Sequence, residues 1–235
     1  MKNGIKAVLF DLDGTLLPMD LDAFIDGYFK IIRRVLKSEN FTSDELFKGV
    51  YDSVFEMFKN DGSMTNSEMF EKSLYKKFGD EYKDIIKQID GIYTKEYLEL
   101  RALCGFNSDV APTIKTLHDA GYRIILATNP VFPMHAAIER LSWTGADTSV
   151  FEYITCYENS RATKPSLTYY KNLIRDLNIN PSDAIMVGND TRDDMIAEEI
   201  GVDTFLVTDC LINRDGYDIS RYKNGSLSDL VNYLI

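Results

Sequence analysis

Hydrophobic residues along the chain recur with two different periods. A short apolar run from Ala7 to Phe10 ends abruptly at Asp11, which is typical of a buried strand. From Leu21 onward, apolar residues recur at every third or fourth position with charged residues between them, which predicts amphipathic helices. Two of these helices are preceded by a threonine with a glutamate three residues later, the pattern of a capping box. These pairs are Thr42 with Glu45 and Thr65 with Glu68. The segment 18–103 is therefore predicted to be all-helical.

Beyond residue 103, strand patterns and helix patterns alternate. The strand patterns are short, continuous apolar runs at residues 122–127, 153–157, 184–187 and 204–207, and the polar stretch 213–226 is predicted to be a surface loop. Apolar strands separated by helices are typical of a parallel sheet that is covered on both faces. The predicted fold is an α/β, doubly wound parallel-sheet (Rossmann-like) core with an inserted all-α helical cap domain. Residues 1–17 and 104–235 form the predicted core domain, and residues 18–103 the cap.

Composition excludes several classes of function. The 235 residues include 26 Lys and Arg against 37 Asp and Glu, a net charge of -11. Such a balance argues against nucleic-acid binding, which needs a basic face. It leaves a small phosphorylated substrate open, because a bound metal can supply local positive charge. The three cysteines, Cys104, Cys156 and Cys210, are far apart and lack a CxxC, so they indicate neither a disulfide framework nor a zinc site.

No apolar run approaches the length that spans a membrane, and no leader pattern precedes the first strand. We therefore expect a cytoplasmic protein without a membrane partner. A monomer or a small homo-oligomer is the expected assembly.

Candidate chemistry collects where the predicted strands end. Asp11 and Asp13 follow the first strand, and residues i and i+2 of an extended chain point the same way. Two converging carboxylates repel each other unless a cation or a shared proton compensates them, and a hard divalent metal is the simplest compensation. The ends of the next three strands supply Thr128, Asn129, Lys164, Asn189, Asp190 and Asp194. Because ligands of open α/β sheets bind outside the carboxyl ends of the strands, these residues are predicted to form one site.

The motifs at these strand ends resemble those of the haloacid dehalogenase (HAD) superfamily. They are Asp-x-Asp-Gly-Thr at residues 11–15, an apolar strand ending in Thr128, the pair Lys164-Pro165, and the acidic sequence MVGNDTRDDM. The motif order and the helical block after the first motif look like members that carry a C1-type cap. The likeness covers the whole chain.

The resemblance implies a role for each matching residue. Asp11 would be the nucleophile that forms an aspartyl-phosphate, and Asp13 would protonate the leaving group and then activate water. Thr128 would hydrogen-bond a phosphoryl oxygen, and Lys164 would neutralise the charge around the nucleophile. Asn129 is a further substrate-binding candidate, although it is equally suited to cap the helix that follows.

The resemblance also implies a Mg²⁺ cofactor, held by the Asp11 carboxylate, the Asp13 backbone carbonyl and the acidic motif. That motif departs from the usual Gly-Asp, because Gly188 is followed by Asn189 and then Asp190. Either residue fits the metal-facing position, and Asp190 is preferred because a carboxylate compensates Mg²⁺ better than an amide does. Asp194 is expected to be an outer or water-mediated partner.

The leading functional hypothesis is a Mg²⁺-dependent phosphatase acting on a small phosphorylated metabolite. A phosphomutase would differ only in which hydroxyl attacks the aspartyl-phosphate, and a phosphonate hydrolase would need a cap lysine such as Lys30 or Lys37. A haloacid dehalogenase is disfavoured because it needs neither Asp13 nor an acidic metal motif. A non-catalytic binding module is the alternative from a different class.

Overall fold

A six-stranded parallel sheet forms the centre of the molecule. The structure is a computed structural model, and it describes residues 4–235. The strands are β1 (Ala7–Phe10), β2 (Arg123–Leu126), β3 (Phe151–Ile154), β4 (Ala184–Gly188), β5 (Asp203–Val207) and β6 (Asn224–Gly225). They lie in the order β3-β2-β1-β4-β5-β6, with β1 between β2 and β4. This arrangement, with helices on both faces, confirms the predicted doubly wound α/β fold.

Eight α-helices accompany the sheet in the described part of the chain. They are α1 (Leu21–Val35), α2 (Ser43–Met57), α3 (Asn66–Phe78), α4 (Tyr82–Ile92), α5 (Val110–Asp119), α6 (Met134–Trp143), α7 (Leu167–Asp176) and α8 (Leu227–Leu234). Short 3₁₀ segments cover Gly79–Glu81, Glu96–Leu103, Thr148–Val150, Pro181–Asp183, Met195–Ile200 and Ile219–Arg221. Helices α1 to α4 and the segment Glu96–Leu103 follow β1 and precede α5, so the helical insertion leaves the sheet at the residues just after Asp11.

Strand β1 is buried on both faces, and its side chains alternate between two hydrophobic cores. Val8 and Phe10 belong to the cluster that includes the helical insertion. Ala7 and Leu9 belong to the cluster on the opposite face, with residues of α7. All four side chains are fully buried. Because β1 cannot shift without disturbing both cores, Asp11 at its end has a fixed position.

Two helices of the insertion begin as their sequences predict. The Thr42 hydroxyl accepts from the backbone N–H of Glu45, and the Thr65 hydroxyl accepts from that of Glu68. Each glutamate carboxylate in return accepts from the backbone N–H of its threonine. Both capping boxes are therefore confirmed.

The start of α3 joins the insertion to the sheet domain through Asn66, which is fully buried. Its side-chain amide donates to the carbonyls of Pro130, at 3.0 Å, and Ala162, at 3.2 Å. Its backbone N–H donates to the carbonyl of Ser160, at 2.8 Å. These acceptors lie in the loops that follow β2 and β3, so the insertion is held over the carboxyl ends of the strands.

The structure differs from the sequence-based boundaries at four places. Strand β3 covers Phe151–Ile154, whereas the apolar run predicts residues 153–157. The pattern from Asp194 to Ile200, ended by Gly201, predicts an α-helix, but Met195–Ile200 forms a 3₁₀ segment. The apolar positions from Tyr82 to Tyr97 predict one fourth helix, but α4 ends at Ile92 and Tyr97 lies in the following 3₁₀ segment. The stretch predicted as a loop contains β6, whose pairing rests on backbone bonds to β5 and not on an apolar pattern. In the described residues, no helix is long and apolar enough to cross a membrane.

Candidate active site

The turn after β1 places the two carboxylates and leaves room for a partner. Gly14 has a φ of +88°, a conformation that side chains with a Cβ rarely adopt. A Cβ at this position would also collide with the side-chain amide of Asn189. Glycine therefore serves two purposes here, because it permits the turn and lets the loop after β4 approach the loop after β1.

Lys164 lies between two carboxylates at the centre of the site. Its Nζ is 2.8 Å from Oδ1 of Asp11 and 2.6 Å from Oδ1 of Asp194. The lysine side chain is 1% exposed. Burial alone would lower the pKa of Lys164, but the two carboxylates outweigh it and hold this pKa well above its usual value. The group is therefore a permanent cation beside Asp11, while burial raises the pKa of Asp194 against the opposing effect of Lys164.

Asp13 has its own cation, the guanidinium of Arg140. Nη1 of Arg140 donates to Oδ2 of Asp13 at 2.5 Å, and the arginine side chain is 1% exposed. The guanidinium also lies 4.5 Å from the ring centroid of Phe132, a cation–π contact. Oδ1 of Asp13 is buried without a hydrogen-bond partner within residues 4–235. Burial raises the pKa of Asp13, and Arg140 opposes this effect.

Sequence reasoning missed Arg140. The signal was present, because Ala136, Ala137, Arg140 and Leu141 lie on the buried face of α6. An arginine within the apolar stripe of a helix needs a buried acidic partner. The spacing did not say which of the chain's acids would supply it.

Thr15 connects the end of β1 with the end of β4. Its hydroxyl lies 3.1 Å from Oδ2 of Asp11 and 3.0 Å from Oδ1 of Asn189. One hydroxyl proton serves only one of these acceptors at a time. Asn189 is oriented by its other end, since Nδ2 donates to the carbonyl of Cys210 at 2.6 Å. The amide oxygen of Asn189 is thus directed toward the Asp11 carboxylate.

The Asp190 carboxylate is engaged in the turn after β4. Its Oδ1 accepts from the backbone N–H of Arg192 at 2.7 Å and of Asp193 at 3.0 Å. The backbone N–H of Asp190 donates to Oδ2 of Asp194 at 3.0 Å. The structure therefore brings Asn189 beside Asp11, while Asp190 holds the shape of the loop.

Thr128 and Asn129 follow β2, as predicted, and both face the cavity above Asp11. The backbone carbonyl of Thr128 accepts from the Thr155 hydroxyl at 2.7 Å, which fixes the strand end. Oδ1 of Asn129 accepts from the backbone N–H of Lys164 at 3.2 Å. Asn129 thus positions the segment that carries the lysine.

A cavity of about 500 Å³ opens between the carboxyl ends of the strands and the helical insertion. All eight predicted site residues line it: Asp11, Asp13, Thr128, Asn129, Lys164, Asn189, Asp190 and Asp194. Residues of α1, α2, α3 and α4 form the opposite wall. The arrangement presents two carboxylates, Asp11 and Asp13, which pair with different buried cations, to one cavity.

The arrangement of the sheet, the insertion and the strand-end site defines a hydrolase of the α/β type with a helical cap. The family model of the haloacid dehalogenase-like hydrolases matches residues 5–201. The chain therefore belongs to the haloacid dehalogenase-like hydrolases, and the predicted resemblance is confirmed.

Individual relatives are distant. The pyrophosphatase PpaX of Bacillus pumilus is 24% identical over 200 residues, which cover 85% of this chain and 82% of the relative. The solved structure of a 2-haloacid dehalogenase from Pseudomonas syringae pv. Tomato superposes with a TM-score of 0.65 at 20% identity, covering 98% of both chains. That of a predicted phosphoglycolate phosphatase from Haemophilus somnus gives 0.62 at 17% identity and covers both chains completely. The structural likenesses show the fold.

Proposed function

We propose that this hydrolase is a Mg²⁺-dependent phosphatase that acts on a small phosphorylated metabolite through an aspartyl-phosphate on Asp11. The observation that supports this most strongly is the separation of two carboxylates by their partners. Lys164 holds Asp11 and Arg140 holds Asp13, while both acids face one cavity. Two carboxylates in different environments are suited to different tasks, one as nucleophile and one as proton carrier.

In the first step, an Asp11 carboxylate oxygen attacks phosphorus, and the bond from phosphorus to the ester oxygen breaks. Asp13 gives its proton to that oxygen, so the leaving group departs as a neutral alcohol. Lys164 neutralises charge at the nucleophile and at the phosphoryl oxygens, and the Thr128 hydroxyl donates to one of those oxygens.

In the second step, Asp13 takes a proton from a water molecule that attacks phosphorus. The bond between phosphorus and Asp11 breaks, and inorganic phosphate and the free Asp11 carboxylate result. Asp13 ends this step protonated and ready for the next substrate. Two easier displacements thus replace one difficult hydrolysis.

The oxygens around Asp11 fit a hard cation. The Asp11 carboxylate and the amide oxygen of Asn189 lie on either side of the Thr15 hydroxyl, and the Asp13 backbone carbonyl is the third proposed ligand. Within residues 4–235, no three His, Cys, Asp or Glu side chains are grouped as a metal site. A set that combines one carboxylate with amide, backbone and water oxygens suits Mg²⁺, which keeps several waters.

Bound at this position, Mg²⁺ would supply positive charge to the phosphoryl group. We propose Asn189 as the direct ligand and Asp190 as a residue that shapes the loop, with Asp194 acting through Lys164. We also propose the domain boundaries given above, with residues 18–103 as the cap and residues 1–17 and 104–235 as the core.

Hydrolysis of p-nitrophenyl phosphate tests the proposal. We expect turnover that requires Mg²⁺, is abolished by chelation, and is lost in Asp11→Asn, which keeps the side-chain size and removes the nucleophile. Lys171→Gln, a change on the outer part of α7, serves as the matched control and should retain activity. Halide release from a haloacid without Mg²⁺, or turnover that persists in Asp11→Asn, would contradict the proposal.

A further inference from the structure

The wall of the cavity opposite Asp11 is made mostly of apolar and aromatic side chains, with Asp22 and Asp26 of α1 as its charged residues. Tyr28, Phe58, Phe70 and Tyr93 come from the helical insertion, and Phe132 and Tyr157 from the loops after β2 and β3. Phe58 is 45% exposed, so the apolar wall continues to the surface at the mouth of the cavity. A leaving group that occupies this volume exchanges water for hydrocarbon contact.

Charge in the cavity is strongly one-sided. Among residues 4–235, seven carboxylates and two cations, Lys164 and Arg214, line it. The proposed Mg²⁺ would lie beside Asp11 with the first phosphoryl group, so a second anionic group further into the cavity meets net repulsion from the remaining carboxylates. Lys164 is already shared between Asp11 and Asp194. Arg214 lies at the exposed mouth, where its Nη2 is 3.1 Å from Oδ1 of Asp22. Neither cation is placed to bind a second phosphate deep in the cavity.

Among the polar groups of this wall, the hydroxyls of Tyr28 and Tyr93 form a pair. They lie 2.7 Å apart and both side chains are buried. A pair of hydroxyls has two protons and uses one of them in its mutual bond. The other proton remains to be donated to an acceptor on a ligand. A mostly apolar pocket with a few convergent polar groups is typical of sites that orient a small organic ligand.

We propose that the leaving group is an apolar alcohol with an aromatic or branched body, so that the substrate is its phosphate monoester and not pyrophosphate or a polyol phosphate. This inference rests on the phosphatase activity proposed above. The phosphoryl group lies at Asp11, the ester oxygen takes the proton of Asp13, and the organic body contacts Phe58, Phe70 and Phe132. The cavity of about 500 Å³ is within the size range of small-molecule sites.

Phosphate release from four compounds tests the leaving group. They are benzyl phosphate, ethyl phosphate, glycerol phosphate and pyrophosphate. We expect kcat/KM for benzyl phosphate to exceed that for each of the other three by at least ~10-fold, since even one buried methylene discriminates by about that factor. Equal values for benzyl and ethyl phosphate, or a higher value for pyrophosphate or glycerol phosphate, would overturn the proposal.

Two variants assign the preference to the apolar wall. Phe58→Ser should reduce the ratio of benzyl to ethyl phosphate by several-fold, because it removes a ring from the wall. Phe106→Ser removes an aromatic ring that is 68% exposed and does not line the cavity, so it should leave the ratio unchanged. Neither side chain is buried, which limits effects on folding. An unchanged ratio in Phe58→Ser would contradict the placement of the organic body.

Calorimetric titration of Asp11→Asn with benzyl phosphate and with pyrophosphate, both in the presence of Mg²⁺, separates this inference from the phosphatase proposal. If the wild type hydrolyses no ester but Asp11→Asn binds benzyl phosphate at least ~10-fold tighter than pyrophosphate, the phosphatase proposal fails and the apolar pocket stands. If the wild type hydrolyses esters and Asp11→Asn binds the two ligands equally, the inference about the apolar leaving group fails while the phosphatase proposal stands.

Discussion

Replacing Arg140 with methionine tests the electrostatics around Asp13 most directly. Methionine fills much of the same volume and keeps the contact with Phe132, so the change mainly removes the charge. Asp13 then remains buried with neither carboxylate oxygen paired, because its Oδ1 already has no partner in residues 4–235. A buried carboxylate without a cation is costly.

The size of the effect follows from the burial of the pair. Breaking a fully buried ion pair costs ~3–5 kcal/mol, and we expect the lower end of this range because a protonated Asp13 avoids part of the penalty. The Asp13 side chain is also 16% exposed, against 1% for Arg140. The free energy of unfolding should therefore fall by about 3 kcal/mol at neutral pH. The double variant with Asp13→Asn should lose less than the sum of the two single variants.

The stability of Arg140→Met should depend on pH, and the pKa of Asp13 determines the direction of this dependence. Without Arg140, the pKa of Asp13 rises further in the folded protein, while it keeps its ordinary value of 3.8 in the unfolded chain. The folded state then binds a proton that the unfolded state has released. Stability of the variant should therefore fall as pH rises from 3.8 to the raised folded pKa, and stay level above it.

Urea denaturation of wild type, Arg140→Met, Asp13→Asn and the double variant at several pH values measures these quantities. The matched control is Arg175→Met, because Arg175 has a side chain that is 66% exposed and pairs with the adjacent Asp176; it should change stability by less than ~0.5 kcal/mol. The reasoning is refuted if Arg140→Met lowers the free energy of unfolding by less than ~1 kcal/mol and by the same amount in the wild type and in the Asp13→Asn background.

Three further substitutions test the Asp11 side of the site. Asn189→Asp adds a carboxylate beside Asp11, so half-maximal activity should need several-fold less Mg²⁺; no change in a Mg²⁺ titration would argue against Asn189 as a ligand. Asp190→Asn weakens the turn, so it should lower the melting temperature. In the same protein samples, the Mg²⁺ concentration for half-maximal activity should stay near that of the wild type. Lys164→Met leaves Asp11 and Asp194 without their cation, and should lower kcat ~10²–10³-fold in steady-state assays while circular dichroism shows a folded protein; activity near wild type would exclude the proposed role.

Local patterns predicted the parts of the molecule that depend on neighbours in the chain. The continuous apolar run of β1, the abrupt stop at Asp11 and the capping boxes at Thr42 and Thr65 each need only a few consecutive residues, and the structure has all of them. The general position of the site follows from topology, since parallel strands end at one edge of the sheet. These features together were sufficient to predict the fold.

Features that depend on partners far apart in the chain were not predictable in the same way. Arg140 and Asp13 are separated by 127 positions, and nothing near either residue identifies the other. Strand β6 is two residues long and has no apolar pattern of its own. The choice between Asn189 and Asp190 as the metal ligand stays a prediction: charge favours Asp190, whereas the turn after β4 directs the amide oxygen of Asn189 toward Asp11. Long-range geometry decides such questions.

The bonds of Asn66 affect how readily the two parts of the molecule separate. All three connect it to backbone carbonyls, acceptors that no substitution of a side chain removes. Water can replace each bond when the insertion moves away, so the net free energy of each is about 1 kcal/mol and not its full gas-phase strength. The same bonds are directional, so they recover one orientation each time the parts meet again. The contact thus selects one orientation of the insertion over the strand ends, while the shared hydrophobic core supplies most of the affinity between the two parts.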